Sequence, residues 1–275
     1  MSVGFKIISR DSIRLATVSA TSAFPLRPID NIKLDSKSDV WRATSLAEQT
    51  ITATWTDAQS IAGVGIVFSN LIIGSTVLIK LYTNVADVSP VFQTDTLVVD
   101  FANTPPIGFP TLSLASTPFG GGNYFANFFI EQSAEKMEVV LTSPGNPDGS
   151  MEIARLVAGK VIGITNGADF GAIVSYDDNI VENRSDSGNL VSDTSPRSKK
   201  IEFDLGDLNP TDKAAMQTMK RVSGKSVPIF VSAQDLSPVL AEKNIFQIYG
   251  IINNDISITT VSYNKHAGNL SITEI

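Results

Sequence analysis

The 275-residue chain contains no cysteine, so no disulfide, thiol nucleophile or cysteine-held metal cluster is available to it. That fits synthesis in a reducing compartment without requiring it. Histidine occurs once, at His266, in a Lys265-His266-Ala267-Gly268 stretch expected to be an exposed turn. No persuasive Ser or Asp partner lies near it in sequence, and a triad base must reach its nucleophile. Charged residues make up only 18%. A surface this poor in charge suits a subunit covered by neighbours, and equally a β-rich domain with Ser, Thr and Asn in place of charges. The net charge of −7 disfavours a phosphate-binding face, and Lys199-Lys200 and Lys220-Arg221 are the only adjacent basic pairs. No nucleic-acid partner is expected. Long apolar runs are also missing. The most apolar stretch, residues 61–81, is broken by Gly63, Gly65, Asn70, Gly74 and Lys80, so no membrane span is expected. The opening MSVGFKIISRDSIR lacks the apolar core of a signal peptide.

What is present is strand patterning with turn punctuation. Residues 3–8 and 13–18 alternate briefly. A long loop, residues 19–45, is marked by Pro25, Pro28, Asp30, Asn31, Asp35 and Asp39 and ends around Trp41. Residues 49–55 alternate cleanly, with Ile51, Ala53 and Trp55 on one side and Thr50, Thr52 and Thr54 on the other. Residues 61–68 and 76–82 read as apolar strands. Residues 83–125 are rich in loops, with one strand expected at 96–101 and a flexible tip at Gly120-Gly121-Gly122. Residues 123–130 are aromatic and strand-like. Residues 137–159, MEVVLTSPGNPDGSMEIARLVAG, read as two strands around a Pro- and Gly-dense turn, the closing hairpin of a first domain. The second of those strands alternates weakly, as a strand covered on both faces does.

Gly159-Lys160 reads as a hinge, dividing the chain into domains 1–159 and 160–275. Short strands are expected at 161–164, 172–176 and 200–205, separated by an exposed polar arm over 177–198. Asn209 caps one helix at about 210–223, with Pro210 at its first position, Asp212 in its first turn and Gly224 at its end. Strands follow at 228–232, 246–252, 256–263 and 269–275. Many short strands and one helix predict a mainly all-β protein: a β-sandwich followed by a small β-domain.

Candidate chemistry is thin. Asp35 and Asp39 flank a turn whose spaced oxygens would suit a structural calcium ion, without a full ligand set. Glu131/Glu135 and Asp204/Asp207 are acid pairs of the kind glycoside hydrolysis needs, with nothing to place them at a working separation. Gly120-Gly121-Gly122 lacks the Lys-Ser/Thr and the helix of a phosphate loop. Tyr124, Phe125, Phe128 and Phe129 read as core or as an aromatic platform, and Trp41, beside Asp39 and Arg42, presents the same choice. No catalytic residue is assigned and no cofactor is expected.

The first half resembles the discoidin, or galactose-binding-like, jelly roll. The residues that carry this are Ala20-Thr21-Ser22, Asn31, Asp35, Asp39-Val40-Trp41-Arg42-Ala43, Val64-Gly65-Ile66 and residues 153–159. The bracketing cysteines common in that family are absent, and the 83–125 insertion is long. The whole chain also looks like accessory tail-tip proteins of tailed bacteriophages, on NPDGSMEIARLVAGK, KKIEFDLGDLNPTDKAAMQTMK and the closing IFQIYGIINNDISITTVSYNKHAGNLSITEI. That resemblance implies a non-catalytic structural subunit of a tail tip or baseplate. Such a subunit is made in the host cytoplasm, carried in the virion, and partnered by other tail proteins and copies of itself. The jelly-roll resemblance implies the alternative, a carbohydrate-binding module for host surface polysaccharide, with Asp39, Trp41, Arg42 and Tyr124 as its candidate binding residues.

Overall fold

The computed structural model describes residues 4–99, 123–165, 172–178, 182–184, 190–192, 197–233, 246–254 and 257–275. The chain is mainly β: a jelly-roll sandwich, then a second sheet carrying one helix. The first strand, β1 (Phe5–Ile8), pairs with strands from the far half of the sequence. A 3-10 turn over Ser12–Leu15, capped by the Asp11 carboxylate, replaces the first part of the expected 13–18 alternation. The sandwich then uses β2 (Thr17–Ala20), β3 (Trp41–Arg42), β4 (Gln49–Ser69), β5 (Thr76–Tyr82), β6 (Phe92–Gln93), β7 (Leu97–Val98), β8 (Asn123–Thr142) and β9 (Glu152–Gly159). Of the strand expected at 96–101 only β7 is described, and Gly120–Gly122 lie outside the described residues.

Two strands organise the sandwich. β4 runs 21 residues and β8 runs 20, where the sequence pattern suggests two short strands in each. Their pairing shifts register between Thr54 and Gln59 and again between Ile61 and Gly63. These irregularities bend the pair, so one continuous strand serves both layers. The first half of β4 pairs with β2, and its second half with β9. Ile51, Ala53 and Trp55 from the first half meet Val64, Ile66, Ile153 and Leu156 in one buried core. Residues 137–159 are therefore not a hairpin: β4 lies between β8 and β9. The turn between them crosses the sandwich, and two strands with good local signals need not pair. All eight residues of β9 are buried, as its weak alternation implies.

The second sheet is ordered β10 (Val161–Ile164), β1, β15 (Ile229–Ser232), β16 (Gln247–Ile252), β18 (Lys265–Glu274), β14 (Arg197–Leu208), β11 (Ile173–Asp178), with β17 (Ile258–Ser262) paired to β18. β12 (Glu182–Arg184) and β13 (Leu190–Ser192) pair with each other inside the stretch expected to be a polar arm. Helix α1 (Pro210–Ser223) starts where its sequence signals place it: Asn209 accepts from the Asp212 N–H at 2.8 Å, and Gly224 ends it at φ 57°. Met216 and Met219 pack on one face of the second sheet with Ile7, Phe203 and Ile272. His266 lies within β18, buried, with Nδ1 3.0 Å from Thr260 Oγ1. The turn falls earlier than expected, around Asn264 at φ 58°.

The other face of the second sheet lies on the outside of the sandwich. Ile8, Phe230 and Tyr249 pack against Val67, Phe68, Tyr124, Ala154 and Val157. Val67 and Phe68 are consecutive yet both reach this joint, because Phe68 takes φ 53° beside a register shift between Ile66 and Ser69. The ring of Phe230 sits over Gly65, where an added Cβ would lie 3.5 Å from it.

Candidate functional site

β3 pairs with β9 in the register Trp41↔Ile153 and Arg42↔Glu152. Opposed residues share a face. Trp41 and Ile153 enter the core, and Arg42 and Glu152 stand on the outer face. The Arg42 guanidinium donates to Glu152 Oε1 through Nε and pairs with it again through Nη2. The Glu152 side chain is 1% exposed and that of Arg42 is 31% exposed, so the cation covers a buried carboxylate. Glu152 Oε2 is buried and has no hydrogen-bond partner among the described residues. The Glu152 N–H donates to Asn70 Oδ1 at 2.7 Å, and the Asn70 amide donates to Asp148 and to the Ser150 carbonyl at 2.9 and 3.0 Å. The acid is thus fixed from both sides.

A tight turn, Phe24-Pro25-Leu26-Arg27, stands beside this pair. The Arg27 N–H donates to the Phe24 carbonyl at 2.9 Å, and the Phe24 N–H donates to the Arg42 carbonyl at 2.9 Å. The Arg42 guanidinium lies 6.0 Å from the centre of the Phe24 ring. Phe24 is 45% exposed and Leu26 is 89% exposed. An aromatic face and a partly exposed guanidinium, anchored on a buried carboxylate, therefore meet at one edge. Neither Phe24 nor Glu152 stood out in sequence. The available signals were an aromatic before a turn Pro, and a lone acid opening an otherwise apolar strand.

Of the residues proposed from sequence, Arg42 alone has an exposed polar end at this edge. Trp41 is fully buried and donates its indole N–H to the Ser22 carbonyl at 2.9 Å. Tyr124 is buried in the joint, edge-on to Phe68, with its hydroxyl on Glu274. Asp39 is exposed, and its N–H donates to Ser36 Oγ at 3.4 Å. The Asp35 carboxylate accepts from Arg14 at 2.8 and 2.6 Å and from the Tyr249 hydroxyl at 2.7 Å. Among the described residues no three His, Asp or Glu side chains group to hold a metal. Glu131 pairs with Ser60 and Lys160, Asp204 accepts from Asn269, and Asp207 pairs with Lys265.

Asp35 belongs to a strap, residues 28–40, that ties the sandwich to the second sheet. Around it runs a polar network. Arg155, 1% exposed, donates Nε to the Tyr249 hydroxyl at 3.0 Å, Nη1 to the Ile32 carbonyl at 3.1 Å, and Nη2 to Asp11. Asp11 also accepts the N–H groups of Ile13 and Ala158 at 3.0 and 3.1 Å. Burial pushes the Asp11 carboxyl above its usual range, against the opposing pull of Arg155 and those two N–H donors. Further along, Lys37 donates to Glu274 at 2.6 Å and lies over the Phe68 ring. Burial likewise pushes the Tyr249 hydroxyl up and the Lys199 ammonium down to about 8, the latter opposed by Glu274.

No family model and no curated protein matches the sequence. Solved structures do. Chitosan-binding module 1 of a chitosanase/glucanase from Paenibacillus sp. IK-5 matches at TM-score 0.38 and 15% identity, over 56% of this chain and 99% of that one. The family 32 carbohydrate-binding module of C. perfringens NanJ, in complex with galactose, matches at TM-score 0.39 and 14% identity, over 57% and 99%. The CBM32 of AlyQ, in complex with 4,5-unsaturated mannuronic acid, matches at TM-score 0.36 and 13% identity, over 52% and 92%. The phage-tail resemblance finds no counterpart in these three. All three matches lie within about half of this chain, at identities of 13–15%.

Proposed function

We propose that the chain is a non-catalytic binding protein whose jelly roll takes a carbohydrate at the edge formed by Phe24, Arg42 and Glu152. The observation that supports this is the partly exposed Arg42 guanidinium, held in place by the buried Glu152 carboxylate beneath it, next to the exposed Phe24 ring. A sugar offers what each lacks. Its hydroxyls accept from a guanidinium, and its C–H face lies on an aromatic ring. The ion pair leaves the edge near neutral, so a glycan needs no charge of its own to bind.

The test is a titration of galactose-, galacturonate- and glucosamine-terminated oligosaccharides against the full chain. Binding to at least one is expected, weakened about tenfold or more, about 1.4 kcal/mol, by Phe24→Ala. Phe24 is outside the core, so the fold survives that change. No binding to any of them defeats the reading.

A second reading is a structural subunit of a phage tail tip or baseplate, made in the host cytoplasm and covered by tail proteins or its own copies. The β17–β18 hairpin favours it, because Val261 is 65% exposed and Tyr263 is 92% exposed. Sedimentation at rising concentration tests the self-association. A strict monomer, with no large contact inside a native particle, counts against it.

A further inference from the structure

The strap from Pro28 to Val40 holds one short 3-10 turn, Ile29–Lys33, and no strand, so beyond Leu34 its placement depends chiefly on side chains. Local contacts supply part of it: Ile32 is buried, and the Asn31 amide donates to the Val40 carbonyl at 2.9 Å. Arg14 holds Asp35, Arg155 of β9 holds the Ile32 carbonyl and Lys33 holds the Ala16 carbonyl, all on the sandwich side, and two further ties lead away from it. Asp35 accepts from Tyr249 of β16, and Lys37 donates to Glu274 of β18. One residue further on, the Ser38 carbonyl accepts from Arg27 at 3.2 Å, which fastens the strap to the turn bearing Phe24 and Leu26. That turn is bonded in both directions to the backbone of Arg42. An unbroken series of bonds thus runs from the second sheet to the carbohydrate edge.

We infer that the second sheet is part of the binding machinery: Tyr249 and Glu274 act as positioning residues, holding the strap and through it the Phe24 turn against Arg42. This inference rests on the carbohydrate reading above. Neither residue touches the edge. Their contribution is preorganisation: a turn already held in place costs less entropy to order when a sugar binds. The sandwich alone would keep its core, because the hydrophobic cluster around Trp41 and Ile153 owes nothing to Tyr249 or Glu274. It would lose the fixed placement of an edge whose aromatic residue sits on a four-residue turn.

The experiment uses the full chain and the same oligosaccharides. Tyr249→Phe keeps the ring in the joint and removes only the hydroxyl. Lys37→Met keeps the stem over Phe68 and removes the bond to Glu274, and Lys37→Arg serves as the conservative control. The Tyr249→Phe/Lys37→Met pair is expected to weaken binding about tenfold. Backbone amide exchange should quicken over residues 24–27 and 34–40 and stay unchanged in β4, which a general loss of stability would not reproduce. Lys37→Arg should bind within about twofold of the unchanged protein. Affinity in the double variant equal to that of the unchanged protein overturns the positioning role and leaves the carbohydrate reading standing. Failure of the unchanged protein to bind any of the sugars overturns both.

Discussion

Tyr249 donates its hydroxyl to Asp35 at 2.7 Å, joining two residues 214 positions apart. The same oxygen receives a hydrogen bond from Arg155 at 3.0 Å, so one phenol sits between the second sheet, the strap and β9. Arg155 and Asp11 at this joint are a buried ion pair, and the consequence of removing one depends on which partner goes.

Arg155→Met should cost about 3–5 kcal/mol, because Asp11 stays buried without its counter-ion. Adding Asp11→Asn should recover part of that loss, since an amide needs no cation and its oxygen still accepts from Ile13 and Ala158. Urea unfolding of the single and double variants measures both. A double variant no more stable than Arg155→Met would mean that the stranded charge is not the cost.

Two glycines at the joint should respond differently to alanine. A Cβ on Gly159 would sit 2.2 Å from the Arg10 carbonyl oxygen, which is backbone and cannot step aside. Gly159→Ala should destabilise by about 1–3 kcal/mol or more. A Cβ on Gly65 meets the Phe230 ring at 3.5 Å, an ordinary contact, so Gly65→Ala should fall within about 0.5 kcal/mol of the unchanged protein. Thermal unfolding of both variants provides the comparison.

Alkaline stability should pass through a maximum. Burial lowers Lys199 to about 8 from 10.5, so between those values the unfolded chain holds a proton that the folded chain has lost, and stability rises with pH. Tyr124 and Tyr249 shift the other way, chiefly through burial. Above pH 10, their usual value, the folded chain keeps protons that the unfolded chain gives up, and stability falls. The urea midpoint should therefore climb from about pH 8 to about 10 and then drop. Lys199→Met should flatten the climb. A midpoint that declines steadily from pH 8 in the unchanged protein would contradict this.

Tryptophan emission should not follow sugar binding. Trp41 and Trp55 are both buried, with their indole N–H groups on the Ser22 and Ser12 carbonyls at 2.9 and 2.8 Å. Trp41→Phe should instead cost about 1–3 kcal/mol of stability, from lost volume and an unsatisfied carbonyl. A sugar-dependent emission change that disappears in Trp41→Phe would put the indole back in the binding edge.

Local signals were readable where one segment satisfies itself. Asn209, Pro210 and Gly224 delimit a helix without help from elsewhere, and residues 76–82 form a strand with the expected bounds. Pairing was less legible. β4 and β8 each looked like two strands because their bends are irregular, and β9 looked like the partner of β8 although β4 lies between them. The edge was half legible. Arg42 stands beside Trp41 in a short segment that sequence reading singles out, but Glu152 becomes its partner only through a register spanning 110 residues. Tyr124 misled because an aromatic that stacks on a ligand and one that stacks on a neighbouring sheet read the same in sequence.

β1 has a consequence for any attempt to take the protein apart. Residues 5–8 lie between β10 and β15, so the sandwich is in effect an insert spliced between two adjoining strands of the sheet that follows it. A fragment starting at residue 160 would leave a strand-wide gap beside Ile162 and Val231, and grafting another module here means replacing an internal segment rather than appending one. During synthesis residues 5–8 must also wait for partners made more than 150 residues later.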